Sequence, residues 1–205
     1  MERLLLALFL ICLRQLDQVF SFPLSVDGYN SPPDTVKQLD INAYLGRWYQ
    51  TYADLAVFAT FERNAQCVTA DYGLKTNTTI SVLNVNTVGS PTSNFSKITG
   101  VAYTPDPSKP GQLKVDLDGV PVNGDYWIIL LGPKEGNPPL YQYSVVTDPS
   151  RFTLFVLARN VNEFKTRFES SVLNFLTKNG FDKLYNKPEP TVQVKTCKYV
   201  DPPRE

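Results

Sequence analysis

The feature that most constrains this chain is a succession of short strand-like runs between residues 46 and 158, separated by turn-forming residues. In one run, "QLKVDLD", Leu113, Val115 and Leu117 alternate with charged residues, which is the period of a half-buried strand. No insert between two runs is long enough for a crossover helix, so consecutive strands are expected to pair antiparallel. The eight predicted strands cover residues 47–55, 66–74, 79–88, 96–104, 112–118, 125–131, 140–147 and 152–158.

Eight such strands predict an all-β fold, an eight-stranded antiparallel up-and-down β-barrel with room for one small ligand. A sandwich of two sheets is the alternative. One later segment, "NEFKTRFESSVLNFLTKNG", predicts a single C-terminal amphipathic α-helix packed outside the barrel, with Asn162 as its N-cap and Gly180 after its end. Its apolar face consists of Phe164, Phe168, Val172, Phe175 and Leu176.

The residue totals exclude several classes of function. The 205 residues suit one domain, and 20 basic side chains balance 20 acidic ones, so no nucleic-acid partner is expected. The chain has no histidine, which excludes Ser-His-Asp and Cys-His nucleophiles and HExxH-type zinc sites. Asp116 and Asp118 form a carboxylate pair, but they lie on the polar face of their strand. We therefore predict no catalytic residue, no metal site and no cofactor.

The N-terminus predicts export. Arg3 precedes the ten apolar residues 4–13, a run too short to span about 30 Å of hydrocarbon. Val19 and Ser21 supply small residues at the −3 and −1 positions of a cleavage site, although an uncleaved membrane anchor is an alternative. No later segment approaches 18 apolar residues, so we expect a secreted, extracellular protein without stable membrane insertion. The predicted divisions are a signal peptide over 1–21, an N-terminal extension over 22–39 and one folded domain over 40–205.

The cysteines and two glycosylation motifs are also typical of an exported protein. Cys12 is lost with the signal peptide, which leaves Cys67 and Cys197 as an even pair in an exported chain. This pairing predicts one disulfide that joins the first third of the chain to its tail. The sequons "NTT" at Asn77 and "NFS" at Asn94 lie in turn-like stretches and are predicted glycosylation sites.

Two blocks of the chain resemble motifs of the lipocalin family. "NAYLGRWYQ" is similar to the family's first motif, with Gly46 and Trp48, and "LFVLARN" is similar to its last motif, which ends in Arg159. The resemblance extends from about residue 40 to residue 197, and within the family it is closest in look to apolipoprotein D and the bacterial outer-membrane lipocalins. It implies a structural role for these three residues, with the arginine over the indole at the closed end of the barrel, and it implies the same disulfide. The family's middle Thr-Asp-Tyr motif is absent from its expected place at 131–133.

The resemblance and the strand period together predict which side chains face the barrel interior. If Trp48 and Arg159 point inward, alternation places Tyr52 and Phe155 inside as well. Family-like placement also puts Leu130 inside, whereas the strand at 140–147 can be read in either register. The predicted ligand-binding residues are Tyr52, Phe58, Tyr72, Asn84, Leu117, Tyr126, Ile128 and Phe155.

The resemblance implies a secreted carrier that holds a retinoid, sterol, fatty acid, bilin or carotenoid in the barrel. Ligand would enter at the end formed by the loops 54–64, 89–96, 118–124 and 147–151. Two alternatives stay open. A few lipocalins are lipid-modifying enzymes, and the prostaglandin D synthase uses an unpaired cysteine, which this chain lacks once its disulfide forms, so we expect no enzyme. The barrel could also be a scaffold for protein interactions through the open-end loops.

Overall fold

The structure of this chain is a computed structural model that describes residues 31–76 and 78–202. The predicted signal peptide and the sequon at Asn77 lie outside the described residues. The helices are α1 Ile41–Tyr44, α2 Leu55–Ala59, α3 Val161–Glu163 and α4 Glu169–Lys178, with a π-helical turn Phe164–Phe168 between the last two. The strands are β1 Gly46–Ala53, β2 Ala65–Thr76, β3 Thr79–Val88, β4 Phe95–Tyr103, β5 Gln112–Leu117, β6 Gly124–Leu131, β7 Lys134–Glu135, β8 Leu140–Tyr141, β9 Tyr143–Thr147, β10 Leu154–Ala158 and β11 Glu189–Pro190.

Eight of these strands form a closed antiparallel barrel. Strands β1 to β6, β9 and β10 each pair with the next in chain order, and β10 pairs back with β1. The closing register places Tyr49 opposite Ala158 and Gln50 opposite Leu157. The predicted up-and-down barrel is therefore confirmed, and the sandwich is excluded.

The predicted C-terminal helix packs on the outside of the barrel. It begins two residues earlier than predicted, because Asn160, not Asn162, is the N-cap: its Oδ1 accepts hydrogen bonds from the backbone N–H groups of Asn162 and Glu163. No helix among the described residues is long and apolar enough to cross a membrane. The buried outer cluster between helix and barrel consists of Ile129, Val145, Leu154, Val156, Ala158, Phe164, Val172, Leu176 and Phe181.

The first and last sequence motifs meet at the closed end. The indole of Trp48 is fully buried, and its Nε1 donates to the Tyr44 carbonyl at 2.8 Å. The guanidinium carbon of Arg159 lies 3.8 Å from the centroid of this indole. Gly46 has a φ of +88°, a left-handed conformation that a residue with a side chain rarely adopts. Arg159 also donates to the backbone carbonyls of Ala43, Leu45, Arg47 and Tyr141.

A small hairpin occupies the region that lacks the Thr-Asp-Tyr motif. Strands β7 and β8 pair with each other between β6 and β9. The hairpin is linked to the closed end through Tyr141, whose hydroxyl accepts a hydrogen bond from the Asp40 backbone N–H at 3.2 Å. Lys134 forms an ion pair with the Asp40 carboxylate at 3.0 Å. In this chain, contacts of Lys134 and Tyr141 with Asp40 therefore stabilise the part of the closed end where the Thr-Asp-Tyr motif is absent.

Two β-bulges shift the inward face of their strands, which makes two predicted placements wrong. In β1 the register shifts between Gln50 and Tyr52, so Tyr52 lies opposite the outward Val156. Its hydroxyl then donates to Glu169 on the outer helix at 2.9 Å. In β6 the register shifts after Ile128, so Leu130 packs against the outer cluster and does not face inward.

The strand whose register the sequence left open is resolved. In β9, Val146 packs in the inner core, and Ser144 bonds with the inward Tyr44 hydroxyl at 2.9 Å. Val145 and Tyr143 face the outer helix. Side chains in β9 therefore alternate regularly between the interior, which Ser144 and Val146 face, and the outer cluster, which Tyr143 and Val145 face.

The predicted disulfide is present. Cys67 in β2 is bonded to Cys197 in the tail, across a sequence separation of 130 residues. The tail also adds β11, which pairs with β1 at Tyr52 and Ala53, beyond the residues that pair with β2. The C-terminal segment is thereby fixed to the first two strands of the barrel.

Candidate functional site: the barrel cavity

The interior of the barrel contains a cavity of about 150 Å³. Strands β1 to β6 and β10 supply its wall, and α1 contributes at the closed end. Most of the lining is aliphatic or aromatic, which is typical of a small-molecule site. The apolar lining residues are Val68, Ala70, Ile80, Val82, Ala102, Leu113, Val115, Leu117, Phe155 and Leu157, together with the rings of Tyr44, Tyr72 and Tyr126.

The structure brings five of the eight predicted ligand-binding residues together in this wall. Ile128 is fully buried in the inner core but does not line the cavity. Tyr52 lies outside the barrel because of the bulge in β1. The ligand-binding role of the other five stays a prediction; they are Tyr72, Asn84, Leu117, Tyr126 and Phe155.

Phe58, another predicted ligand-binding residue, does not line the cavity either. This residue lies on α2, a short helix that begins after Asp54, whose Oδ1 accepts the Val57 N–H at 2.9 Å. The helical turn buries Val57 completely and leaves Phe58 only partly buried, outside the residues that line the cavity. Phe58 was predicted as one of a set of aromatic residues that could line a pocket, and that pattern carries no information about which side chains a short helix directs away from the cavity.

A carboxylate that sequence reasoning missed lines the cavity. Glu62 comes from the connection between β1 and β2, where its backbone N–H donates to the Val57 carbonyl at 3.0 Å. Its Oε2 accepts a hydrogen bond from Gln50 Nε2 at 2.5 Å. Burial raises the pKa of Glu62 to about 7, and the hydrogen bond from Gln50 offsets part of this effect. A charged residue in a loop is ordinarily solvated, so the sequence carries no signal for this placement.

Three tyrosine hydroxyls form a network in the wall. The Tyr126 hydroxyl lies 2.8 Å from that of Tyr44 and 3.0 Å from that of Tyr72. Burial raises the pKa of Tyr44 to about 12 and raises the pKa values of Tyr72 and Tyr126 as well. All three side chains are therefore neutral at physiological pH, and they can orient one polar end of a ligand. Tyr44 was not among the predicted site residues because it lies in α1, before the first strand.

Two further polar residues of the lining are an amide and a carboxylate. Asn84 Oδ1 is buried and accepts no hydrogen bond from the described part of the chain. Asp125, the second carboxylate in the wall, forms an ion pair with Lys114 at 2.7 Å. The site thus combines a large apolar surface with a few convergent polar groups, an arrangement typical of a β-barrel that binds a small molecule.

Comparison with known proteins identifies the family. The sequence model described as "Lipocalin-like domain" matches residues 39–188. The chain is 32% identical to temperature-induced lipocalin-1 of Arabidopsis thaliana over 165 residues, which cover 76% of this chain and 82% of the relative. It is 30% identical to apolipoprotein D of Macaca fascicularis, with 76% and 78% covered. It is 31% identical to the outer membrane lipoprotein Blc of Vibrio cholerae, with 65% and 74% covered. The chain belongs to the lipocalin family.

Solved structures show the same fold at low sequence identity. Japanin from Rhipicephalus appendiculatus, bound to cholesterol, matches with a TM-score of 0.51 and 16% identity, covering 78% of this chain and 100% of that one. The amine-binding protein of Rhodnius prolixus, in complex with tryptamine, matches with a TM-score of 0.52 and 20% identity, covering 83% and 90%. The family and its relatives together suggest the binding of a small hydrophobic ligand.

Proposed function

We propose that this lipocalin is a secreted carrier of a small, mostly apolar molecule that it holds inside the barrel. The observation that carries the proposal is the cavity of about 150 Å³ inside the barrel, with its largely apolar wall. Burying about 250 Å² of apolar ligand surface at ~25 cal/mol/Å² contributes roughly 6 kcal/mol before the costs of association. Those costs reduce the net value, so we expect dissociation constants in the micromolar range.

The cavity volume indicates which sizes of ligand are favoured. An apolar protein cavity of about 150 Å³ holds a molecule the size of benzene. This volume favours a ligand of one ring or a short branched chain. A sterol, bilin or carotenoid is larger than this volume. It would extend out of the cavity or require the wall to widen, for example by rotation of Phe155 or Tyr126, which both line the cavity.

Secretion is supported by two features of the chain. The apolar run at residues 4–13 has the length and flanks of a signal peptide. The disulfide between Cys67 and Cys197 is typical of an oxidising compartment. This bond also removes the basis for a thiol-dependent enzyme, because it uses both cysteines of the described residues. No observation favours the enzyme or the scaffold over the carrier.

Ligand titration of a cavity-filling variant tests the carrier function. Retinoids, fatty acids, bilins and small aromatic compounds are titrated while tryptophan fluorescence and binding heat are recorded. Ala102→Leu places three more carbon atoms in the cavity, because Ala102 lines it and is buried. We expect micromolar binding of at least one class and a loss of about tenfold or more in this variant, which corresponds to ~1.4 kcal/mol.

The matched control is Ala59→Leu, the same substitution at an exposed position of α2. It should leave the affinity within about twofold, since only fully packed contacts contribute strongly. Far-UV circular dichroism verifies that both variants keep the barrel. A flat titration of the wild-type protein across every class would contradict the carrier function.

A further inference from the structure

Glu62 is a carboxylate in an apolar cavity with no cation beside it. Within the described residues, no Lys or Arg lies within ion-pair distance of Glu62, although nine other such pairs are formed. Its one side-chain partner is the neutral amide of Gln50. Buried carboxylates are ordinarily paired with a cation or hydrogen-bonded at several lone pairs, because isolation in an apolar medium is costly. Within the described residues, the Glu62 carboxylate therefore has no counter-ion.

The other polar groups of the wall do not supply that partner. Asp125 is itself acidic and is already paired with Lys114. The guanidinium of Arg159 donates to backbone carbonyls at the closed end and is not part of the lining. The described lining contains no Lys or Arg at all. The cavity thus carries only negative charge.

The lining also contains an amide without a partner in the described part of the chain. Asn84 lines the cavity, and its Oδ1 is buried and accepts no hydrogen bond. The unpaired charge of the lining is therefore the Glu62 carboxylate. A group that carries several N–H donors and a positive charge complements this carboxylate. A carboxylate or phosphate ligand would face the charge of Glu62 without a compensating cation.

We propose that the cavity selects a small protonated amine, with its apolar body against the aliphatic wall and its ammonium group on the Glu62 carboxylate. This inference rests on the proposed carrier function and names the ligand class of the same site. The volume of about 150 Å³ favours an apolar body of about one aromatic ring with a short chain.

The pH dependence follows from the two charged partners. The pKa of Glu62 is raised to about 7, and that of a primary alkylamine is about 10.4, as in lysine. Between these values the carboxylate and the ammonium group are both charged, so affinity should rise from pH 6 to pH 8. The groups that face the same space are Gln50, the ion-paired Asp125 and the three neutral tyrosines, while the neighbouring Arg63 is exposed.

Three probes with the same apolar body test the inference by calorimetry. They are 2-phenylethylamine, its uncharged isostere propylbenzene, and the anion 3-phenylpropanoate. At pH 8 we expect the amine to bind roughly tenfold to a hundredfold more tightly than propylbenzene, the range of a hydrogen bond to a charged group. The anion should bind more weakly than propylbenzene.

The variant Glu62→Gln keeps the shape and removes the charge. It should abolish the preference for the amine and leave the affinity for propylbenzene within about twofold, since that ligand has no polar contact to lose. The matched control is Glu169→Gln on the outer helix, which should keep the preference of the wild-type protein. Circular dichroism verifies that both variants are folded.

The outcomes separate this inference from the carrier function. If propylbenzene binds and the amine binds no more tightly, the amine selectivity is overturned while the carrier function stands. The same holds if Glu62→Gln retains the preference, or if the anion binds best. If none of these probes binds, and retinoids, fatty acids and bilins also fail, the carrier function itself is wrong.

Discussion

At the scale of single residues, Asp54 is a buried carboxyl that caps a helix. Its side chain is fully buried at the end of β1, and its Oδ1 accepts the Val57 N–H that begins α2. Burial raises the pKa of Asp54 to about 7, and the nearby Asp148 raises it further. The cap is therefore maintained at the cost of holding a charge in the protein interior at neutral pH.

The variant Asp54→Asn should stabilise the protein above pH 7. The folded-state pKa exceeds the unfolded value of about 3.9, so the folded state binds the proton more tightly. The free energy of unfolding of the wild-type protein then falls as pH rises from about 4 to about 7. Asparagine keeps the cap without the charge, so we expect a gain of about 1–3 kcal/mol at pH 8 that disappears at pH 4.

Urea unfolding at pH 4, 6 and 8 measures this difference. Asp116→Asn, the same substitution at an exposed position of β5, provides the control and should change the free energy of unfolding by less than about 0.5 kcal/mol. A gain that is independent of pH would contradict the assignment of a raised pKa to Asp54.

At the scale of strands and helices, the regular features of this chain were predictable and the irregular ones were not. Strand number, closure and the outer helix follow from periodic patterns over many residues. The bulge in β1 adds one residue to "WYQTYA", a stretch in which polar and apolar residues suit either face. This one residue moves Tyr52 from the interior to the helix. Glu62 lies in a connection with no period, so its place in the cavity is visible only in three dimensions.

Truncation of an aromatic residue should affect stability on the outer face of the barrel wall and ligand affinity on its inner face. Tyr52 packs near Phe164, with ring centroids 6.5 Å apart, and bonds to Glu169. Tyr52→Ala should lower the free energy of unfolding by about 2–4 kcal/mol through lost packing, and leave ligand affinity unchanged. Phe155→Ala removes cavity wall and should weaken binding of the same ligand by about tenfold. Urea unfolding and calorimetry are measured on both variants; equal losses of affinity would show that Tyr52 faces the ligand after all.

At the scale of the whole molecule, the tail completes the barrel wall. Strands β1 and β2 pair only over the four residues from Gly46 to Tyr49. Beyond this point the tail lies between them: Gln193 Nε2 donates to the carbonyls of Gln50 and Val68, at 3.1 and 2.7 Å. The side chain of Gln50, which bonds to Glu62, also donates to Thr191 in the tail. The disulfide therefore secures a segment that supports the polar side of the cavity.

Removal of the disulfide tests this arrangement. The double variant Cys67→Ser/Cys197→Ser avoids the free thiol that either single variant would leave. A bond across 130 residues is worth about 4–5 kcal/mol in the chain-entropy model, and residual structure in the denatured chain lowers that figure. We expect a loss of about 2–5 kcal/mol in urea unfolding, with the barrel retained because its strand ladder closes between β10 and β1 without the tail. Reduction of the wild-type protein should reproduce the loss and leave the double variant unaffected. Unchanged stability would mean that the tail stays in place through its hydrogen bonds alone, and the support of Glu62 through Gln50 would then not depend on the bond.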